Sequence, residues 1–332
     1  MEPNFNDYVA LIYNRFEAFA QARQSVRKNG HPFLYQQRSM IVFFMGMQFK
    51  RISQFKSQWR WLNMHPEMLM VLGWTQVPDR STLSRRYKKL YEVLQDFVQF
   101  LGKNSQALGE DLKTDHLYED KSLFKAQGPV WHQSDRQVGR IPDKLRHLDT
   151  DATWSKSGYH GWVYGYGLHL TCNQAGFPAL VLVETATFSE KEAVAAKEQT
   201  ILHQLQPKTL CGDDAYTLAK RIRDWAQHAI VLLAPALRWR NGRYAKAYRQ
   251  FINQPDIAPL LRQRKTAIEP AFDLLAKLLG LTGKQKQLTL QHLANVRTFL
   301  ALAVFSLQIA MLANNIWNLP FHSISFIHGA FA

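Results

Sequence analysis

The chain has 332 residues, and Lys plus Arg outnumber Asp plus Glu by 41 to 26, giving a formal charge of +15 and an isoelectric point near 9.8. A composition of 46% hydrophobic and 12% aromatic residues excludes a largely disordered chain, and the length allows two domains with a substantial core. The positive excess points to a polyanionic partner, because each phosphate that Lys or Arg neutralises releases counterions.

Two cysteines, Cys172 and Cys211, are too few for a disulfide framework or a zinc cage, and they read as small buried hydrophobes in a reduced compartment. The opening MEPNFNDYVALIYNRF lacks the basic and apolar regions of a signal peptide. Residues 298–319 are long enough to span a membrane. Gln308, Asn314 and Asn315 interrupt the apolar run, so a buried or oligomer-facing helix is expected, with no membrane partner and a cytoplasmic location.

Residues 1–110 carry helical periodicity over 5–19, 40–55, 59–72 and 83–101. Pro78, Asp79, Ser81 and Thr82 form a start signal for the last of these. Arg80, Arg85, Arg86, Lys88 and Lys89 cluster in its first turns, which fits either a DNA-contacting helix or a solvated basic face. A strand is expected at 116–124, then an aperiodic stretch to about 160. Strands at 162–172 and 177–186 are joined by the turn Asn173-Gln174-Ala175-Gly176.

Ser189, with Glu192 three residues on, starts a helix over 189–205. A strand at 208–212, a helix at 217–228 and a strand at 230–233 follow. A basic loop at 238–248, a helix at 259–280 ending on a glycine, and a last helix from about 290 complete the chain. Antiparallel strands followed by alternating strands and helices predict an α/β fold, a mixed sheet flanked by helices.

Three acids stand where such a fold gathers ligands: Asp120 on the first strand, Asp213 after the fourth, and Glu269 in the helix at 259–280. Mg²⁺ is a hard cation that takes oxygen donors, and two ions about 4 Å apart can clamp both oxygens of an in-line phosphoryl displacement. Ile268, Phe272, Leu275 and Leu279 form the buried stripe of that helix. Glu269 borders the stripe, with Arg262, Lys265 and Lys277 near its own face.

The residues Asp79-Arg80-Ser81-Thr82-Leu83-Ser84-Arg85-Arg86, the run YHGWVYGYGLHL at 159–170, Gly-Asp-x-Ala-Tyr at 212–216 and Thr266-Ala267-Ile268-Glu269 together resemble bacterial insertion-sequence transposases of the Asp-Asp-Glu type. So do Gly128-Pro129-Val130-Trp131-His132 and Asp149-Thr150-Asp151-Ala152-Thr153-Trp154. The likeness runs over about 79–317. It implies a ribonuclease H-like catalytic domain, two Mg²⁺ ions for which Mn²⁺ can substitute, and cut-and-paste movement of an element with terminal inverted repeats.

Carried onto this chain, the metal-holding catalytic residues are Asp120, Asp213 and Glu269, with Glu119 and Asp115 close competitors for the first. The expected organisation is a helical terminal-repeat-binding domain over 1–110, a catalytic domain over 111–289 and a C-terminal helix over 290–332 packing on the catalytic domain or a partner subunit. The implied partners are double-stranded DNA with terminal inverted repeats, target DNA and a second copy of the chain in a homodimeric synaptic complex. Many relatives place Tyr seven before, Arg four before and Lys seven after the glutamate; here those positions are Arg262, Lys265 and Ala276, with Lys277 one later.

Basic aromatic segments complete the expected DNA surface: Trp131, Arg136, Arg140 and Trp162 in one, and Arg238, Trp239 and Arg240 in the other, where Trp239 would support an unstacked base. No H-E-x-x-H pattern, His-apolar-His pair or H-x-x-R at His292 occurs, which argues against zinc hydrolysis and a covalent protein–DNA intermediate. Two alternatives stay open: a non-catalytic DNA-binding protein derived from a transposase, and a metal-dependent endonuclease without strand transfer.

Overall fold

The computed structural model describes residues 2–23, 34–143, 145–158, 161–216, 218–235, 243–281 and 286–332. Six helices come first: α1 (Phe5–Ala22), α2 (Gln37–Phe49), α3 (Phe55–Met64), α4 (Glu67–Leu72), α5 (Arg80–Lys88) and α6 (Leu90–Asn104). They are followed by β1 (His116–Lys125), α7 (Gln133–Gln137), β2 (Thr153–Ser157), β3 (Gly161–Asn173), β4 (Pro178–Thr185) and α8 (Glu190–Thr200). The remainder is β5 (Thr209–Cys211), α9 (Ala219–Ala226), β6 (Val231–Leu233), α10 (Arg243–Ile252), α11 (Ala258–Leu279), α12 (Leu293–Ile316) and α13 (Ser325–Phe331).

The strands form one sheet in the order β2–β3–β1–β5–β6, with β4 also along β3. The pairs among β1, β2, β3 and β4 are antiparallel, and β1–β5 and β5–β6 are parallel. Four antiparallel strands continued by two parallel ones, with helices on both faces, make the ribonuclease H-like arrangement. The β3–β4 turn forms at Asn173–Gly176 as expected. Gly176 adopts φ +77°, and the Asn173 side-chain carbonyl accepts the Ala175 and Phe177 N–H groups.

Residues alternate across the sheet. Tyr118, Phe124, Tyr166 and Leu170 join the large core beneath α11 and α12, while Leu117, Leu180 and Leu210 pack with α8 and α9. The large core is continuous from Tyr8 in α1 to Phe331 in α13. Its axis is α12, packed against α6, β4, α11 and α2, with 94% of its most apolar window buried in the protein. Its polar residues bridge elements. The Gln308 amide donates to the carbonyls of Val98 and Pro178, and Asn314 donates to Pro320, Phe321 and Ser323, shaping the turn into α13. The apolar run at 298–319 therefore belongs to a core helix up to Ile316.

Several boundaries differ from expectation. The 59–72 helix breaks at Pro66, which has no N–H to donate, and α4 ends on Gly73 at φ +66°. The 83–101 helix divides at Lys89. Part of the 238–248 loop is helical, because α10 begins at Arg243 and Tyr248 anchors it: its hydroxyl donates to the Leu232 carbonyl and accepts from the Ala234 N–H. The aperiodic stretch contains α7 and β2.

Candidate active site

The register of the parallel pair decides where the acids stand. Tyr118 lies opposite Cys211, the last residue of β5. Asp120 and Asp213 each follow by two residues, so both emerge where β5 ends and β1 runs on. The crevice beyond the carboxyl ends of parallel strands is where α/β sheets bind ligands.

Asp120 is half-buried. One carboxylate oxygen accepts the Lys121 N–H at 2.8 Å, and the other accepts Arg264 Nη1 of α11 at 2.8 Å. Burial raises its pKa, Arg264 and the Lys121 N–H pull it back, and the charge of Asp213 pushes it up again. The two acids therefore share one electrostatic neighbourhood. Asp213 Oδ1 accepts the Ala215 N–H at 2.8 Å, which holds the turn leading to Tyr216. Gly212 is demanded by this turn, because a Cβ there would lie 2.4 Å from the buried Tyr216 ring. The Gly-Asp-x-Ala-Tyr spacing is thus a steric device for aiming Asp213.

The neighbours of Asp120 go elsewhere. Glu119 turns to the α8 face, fully buried, where it is ion-paired with Lys197 and accepts the Thr171 hydroxyl. Burial raises its pKa, and Lys197 opposes that rise. Asp115 precedes β1 and pairs with Lys208 at 3.2 Å.

His169 lies on the same buried face, and burial, reinforced by Lys197 and Lys121, pushes its pKa down to about 2. In the unfolded chain it takes a proton below about pH 6.5, which the folded protein refuses until about pH 2. The associated stability is present above pH 6.5 and is lost on acidification, about 2 kcal/mol by pH 5. Urea unfolding of His169→Phe should accordingly show a smaller loss between pH 7 and 5 than the native chain. Equal losses would remove His169 from the acid response.

Glu269 is exposed on α11, five residues and so about 140° around the helix from Arg264. Asp120 and Asp213 come near enough for the charge of Asp213 to act on Asp120, whereas among the described residues no hydrogen bond or ion pair links Glu269 to either. Among the described residues, the group of three ligand-type side chains within 4.8 Å is instead Asp149, Asp151 and His292. Such a group could hold a cation, but its carboxylates already have partners. Asp149 accepts the Tyr166 hydroxyl and the His292 N–H, and Asp151 accepts the Leu293 N–H, so both satisfy the start of α12.

Beside Asp213 opens a polar groove of about 740 Å³. Lys121, Lys156, Lys191, Ser157 and Glu190 line it with Asp213. Lys121 is fixed there by the carbonyls of Ala186 and Phe188. The sequence alone assigns no role to Glu190 or Arg264. Arg264 sits four residues before Ile268, on the extension of the buried stripe, and that spacing could have found it.

The remaining expected DNA contacts divide. Arg80 and Arg85 are exposed on α5, whereas Arg86 is half-buried and donates to the Tyr35 carbonyl. Trp162 is 63% exposed at the base of the β2–β3 turn, directly opposite Lys156. Trp131, Arg136 and Arg140 tie the 128–154 segment together: Trp131 donates to the Arg140 carbonyl, Arg136 donates to that of Ala152, and Arg140 pairs with Asp135. Arg262, Lys265 and Lys277 lie along the exposed side of α11. Arg238, Trp239 and Arg240 lie outside the described residues.

A family model, the transposase DDE domain, matches residues 112–302, from just before β1 into α12. The chain belongs to the DDE transposase family. No curated protein and no solved structure matched it. The match spans Asp120, Asp213 and the whole of α11. DDE transposases act on DNA with divalent metal ions, and the hard oxygen donors of Asp120 and Asp213, emerging side by side, suit such an ion.

Proposed function

We propose that this DDE transposase hydrolyses phosphodiesters at the terminal inverted repeats of an insertion sequence and joins the freed 3′-hydroxyl to target DNA. Asp120, Asp213 and Glu269 are its metal-holding residues, for two Mg²⁺ ions or Mn²⁺ in their place. The observation that carries this reading is that Asp120 and Asp213 both lie two residues past the last β1–β5 pair, where β5 ends, with the charge of Asp213 acting on Asp120. Bound divalent ions supply Lewis acidity and a clamp for in-line displacement.

The protein's own residues position the DNA. Lys156 and Lys191 hold backbone phosphates in the groove beside Asp213, and Arg262, Lys265 and Lys277 hold them along α11. Arg80 and Arg85 contact the terminal repeat, and Trp162 offers an exposed ring for an unpaired base. Glu269 precedes Pro270, which removes the hydrogen bond to the Thr266 carbonyl. That break lets α11 bend and re-aim Glu269 towards the other two acids. Two element ends must be held together, so the working form is a homodimer on DNA in the cytoplasm.

A plasmid carrying the gene with its native flanks, incubated with the protein and Mg²⁺, tests this reading. Metal-dependent cuts at the element's edges followed by joined products are expected. Cuts without joining would leave an endonuclease. Binding at the edges without any cutting, under Mg²⁺ or Mn²⁺, would make the chain a non-catalytic DNA-binding protein.

A further inference from the structure

We infer that Arg264 is a charge-exchange partner that guards Asp120 until DNA arrives, so that metal and DNA bind this protein cooperatively. The inference rests on the reading of Asp120 as a metal ligand. Arg264 Nη1 stands 2.8 Å from Asp120 Oδ2, with side chains 17% and 27% exposed. The other Asp120 oxygen already accepts the Lys121 N–H, so the guanidinium covers the oxygen that a cation would take.

A guanidinium carries five N–H donors, and among the described residues this one hydrogen-bonds to Asp120 alone. It therefore keeps donors for a second anion, and on this reading that anion is a DNA phosphate. Planar guanidinium and phosphate match in a two-pronged hydrogen bond.

The exchange balances in charge. Before DNA, the +1 guanidinium neutralises the −1 carboxylate. A divalent cation entering at Asp120 must displace Arg264 or stand beside it, and like charges a few ångströms apart in a half-buried site repel. A phosphate offers Arg264 another partner and releases the carboxylate to the metal. By linkage, metal must then strengthen DNA binding by the same factor as DNA strengthens metal binding.

Mn²⁺ binding followed by electron paramagnetic resonance, on the full chain with and without a short duplex, reads this directly. The native protein should bind Mn²⁺ about tenfold more tightly with duplex present. Arg264→Gln should bind Mn²⁺ about tenfold more tightly than the native chain without DNA, and should lose most of the coupling. Arg264→Lys, which keeps charge but loses the fork, should fall between.

Unchanged Mn²⁺ affinity in a folded Arg264→Gln, or no coupling in the native protein, would make the ion pair purely structural and overturn the inference. Asp120→Asn separates this from failure of the underlying reading. If it leaves Mn²⁺ binding intact, Asp120 is not a ligand and both fall. If Asp120→Asn abolishes binding while Arg264→Gln changes nothing, only the exchange falls. Should Arg264→Gln not fold, the coupling in the native chain decides alone.

Discussion

Alanine at Asp120 or at Asp213 is expected to lower metal-dependent cleavage at least about a thousandfold, while DNA binding measured without divalent metal stays within a few fold. The factor corresponds to about 4 kcal/mol of lost transition-state charge stabilisation, in the range a metal clamp supplies. Binding should persist because the contacts assigned to phosphates come from Lys156, Lys191, Arg80 and Arg85, on other elements. Removing Asp120 frees Arg264 as well, so overall DNA affinity should rise slightly if it changes at all. Gel-shift titrations beside single-turnover cleavage separate the two quantities. A variant that still cuts at near-native rate would exclude its aspartate from the site, and a variant that no longer binds would mark it as structural.

The largest effect on stability should come from the other face of the sheet. Lys197→Met leaves the Glu119 carboxylate fully buried with Thr171 as its remaining polar partner. Stranding one member of a buried ion pair costs about 3–5 kcal/mol. Burial holds the Lys197 pKa down and the Glu119 pKa up, so each depends on the other to stay charged. The double variant Glu119→Leu/Lys197→Met removes both charges and should recover most of the loss, because a well-packed apolar pair often matches a buried ion pair. Urea denaturation of the two singles and the double forms a cycle. Equal destabilisation in Lys197→Met and in the double variant would show that the charge pair is not what matters there. The same cycle bears on assignment, since Glu119 adjoins Asp120 and only its side of the sheet distinguishes a core acid from a ligand.

That distinction shows how far sequence reading reached. A strand alternates its faces, so Tyr118-Glu119-Asp120 carries acids on both sides, and nothing in the three residues says which side is the core. The packing of α8 against Glu119 and of α11 against Asp120 says it, and packing is a long-range property. Local devices were readable: the Ser189–Glu192 capping box forms, and so do the Asn173–Gly176 turn and the Gly280 end of α11, because each depends on neighbours within a few residues. The break at Lys89 was not readable, since Leu83, Tyr87, Leu90, Leu94 and Phe97 keep helical spacing across it.

The aromatic segment at 131–154 illustrates the converse. Its Trp and Arg residues have the composition of a DNA surface, yet several of their polar groups are spent on backbone carbonyls of the same segment. Composition cannot tell a free donor from a satisfied one. The polar interruptions of the apolar run at 298–319 are informative in the same way: Gln308 and Asn314, within α12, donate to packed backbone carbonyls in the protein interior.

The central claim is that a divalent metal is held by Asp120 and Asp213. Anomalous scattering from crystals of the protein grown with Mn²⁺ and a DNA end would test it most directly. A peak between those two carboxylates, with Arg264 turned away, is the predicted result. A peak at Asp149, Asp151 and His292, with Asp120 still paired to Arg264, would contradict it.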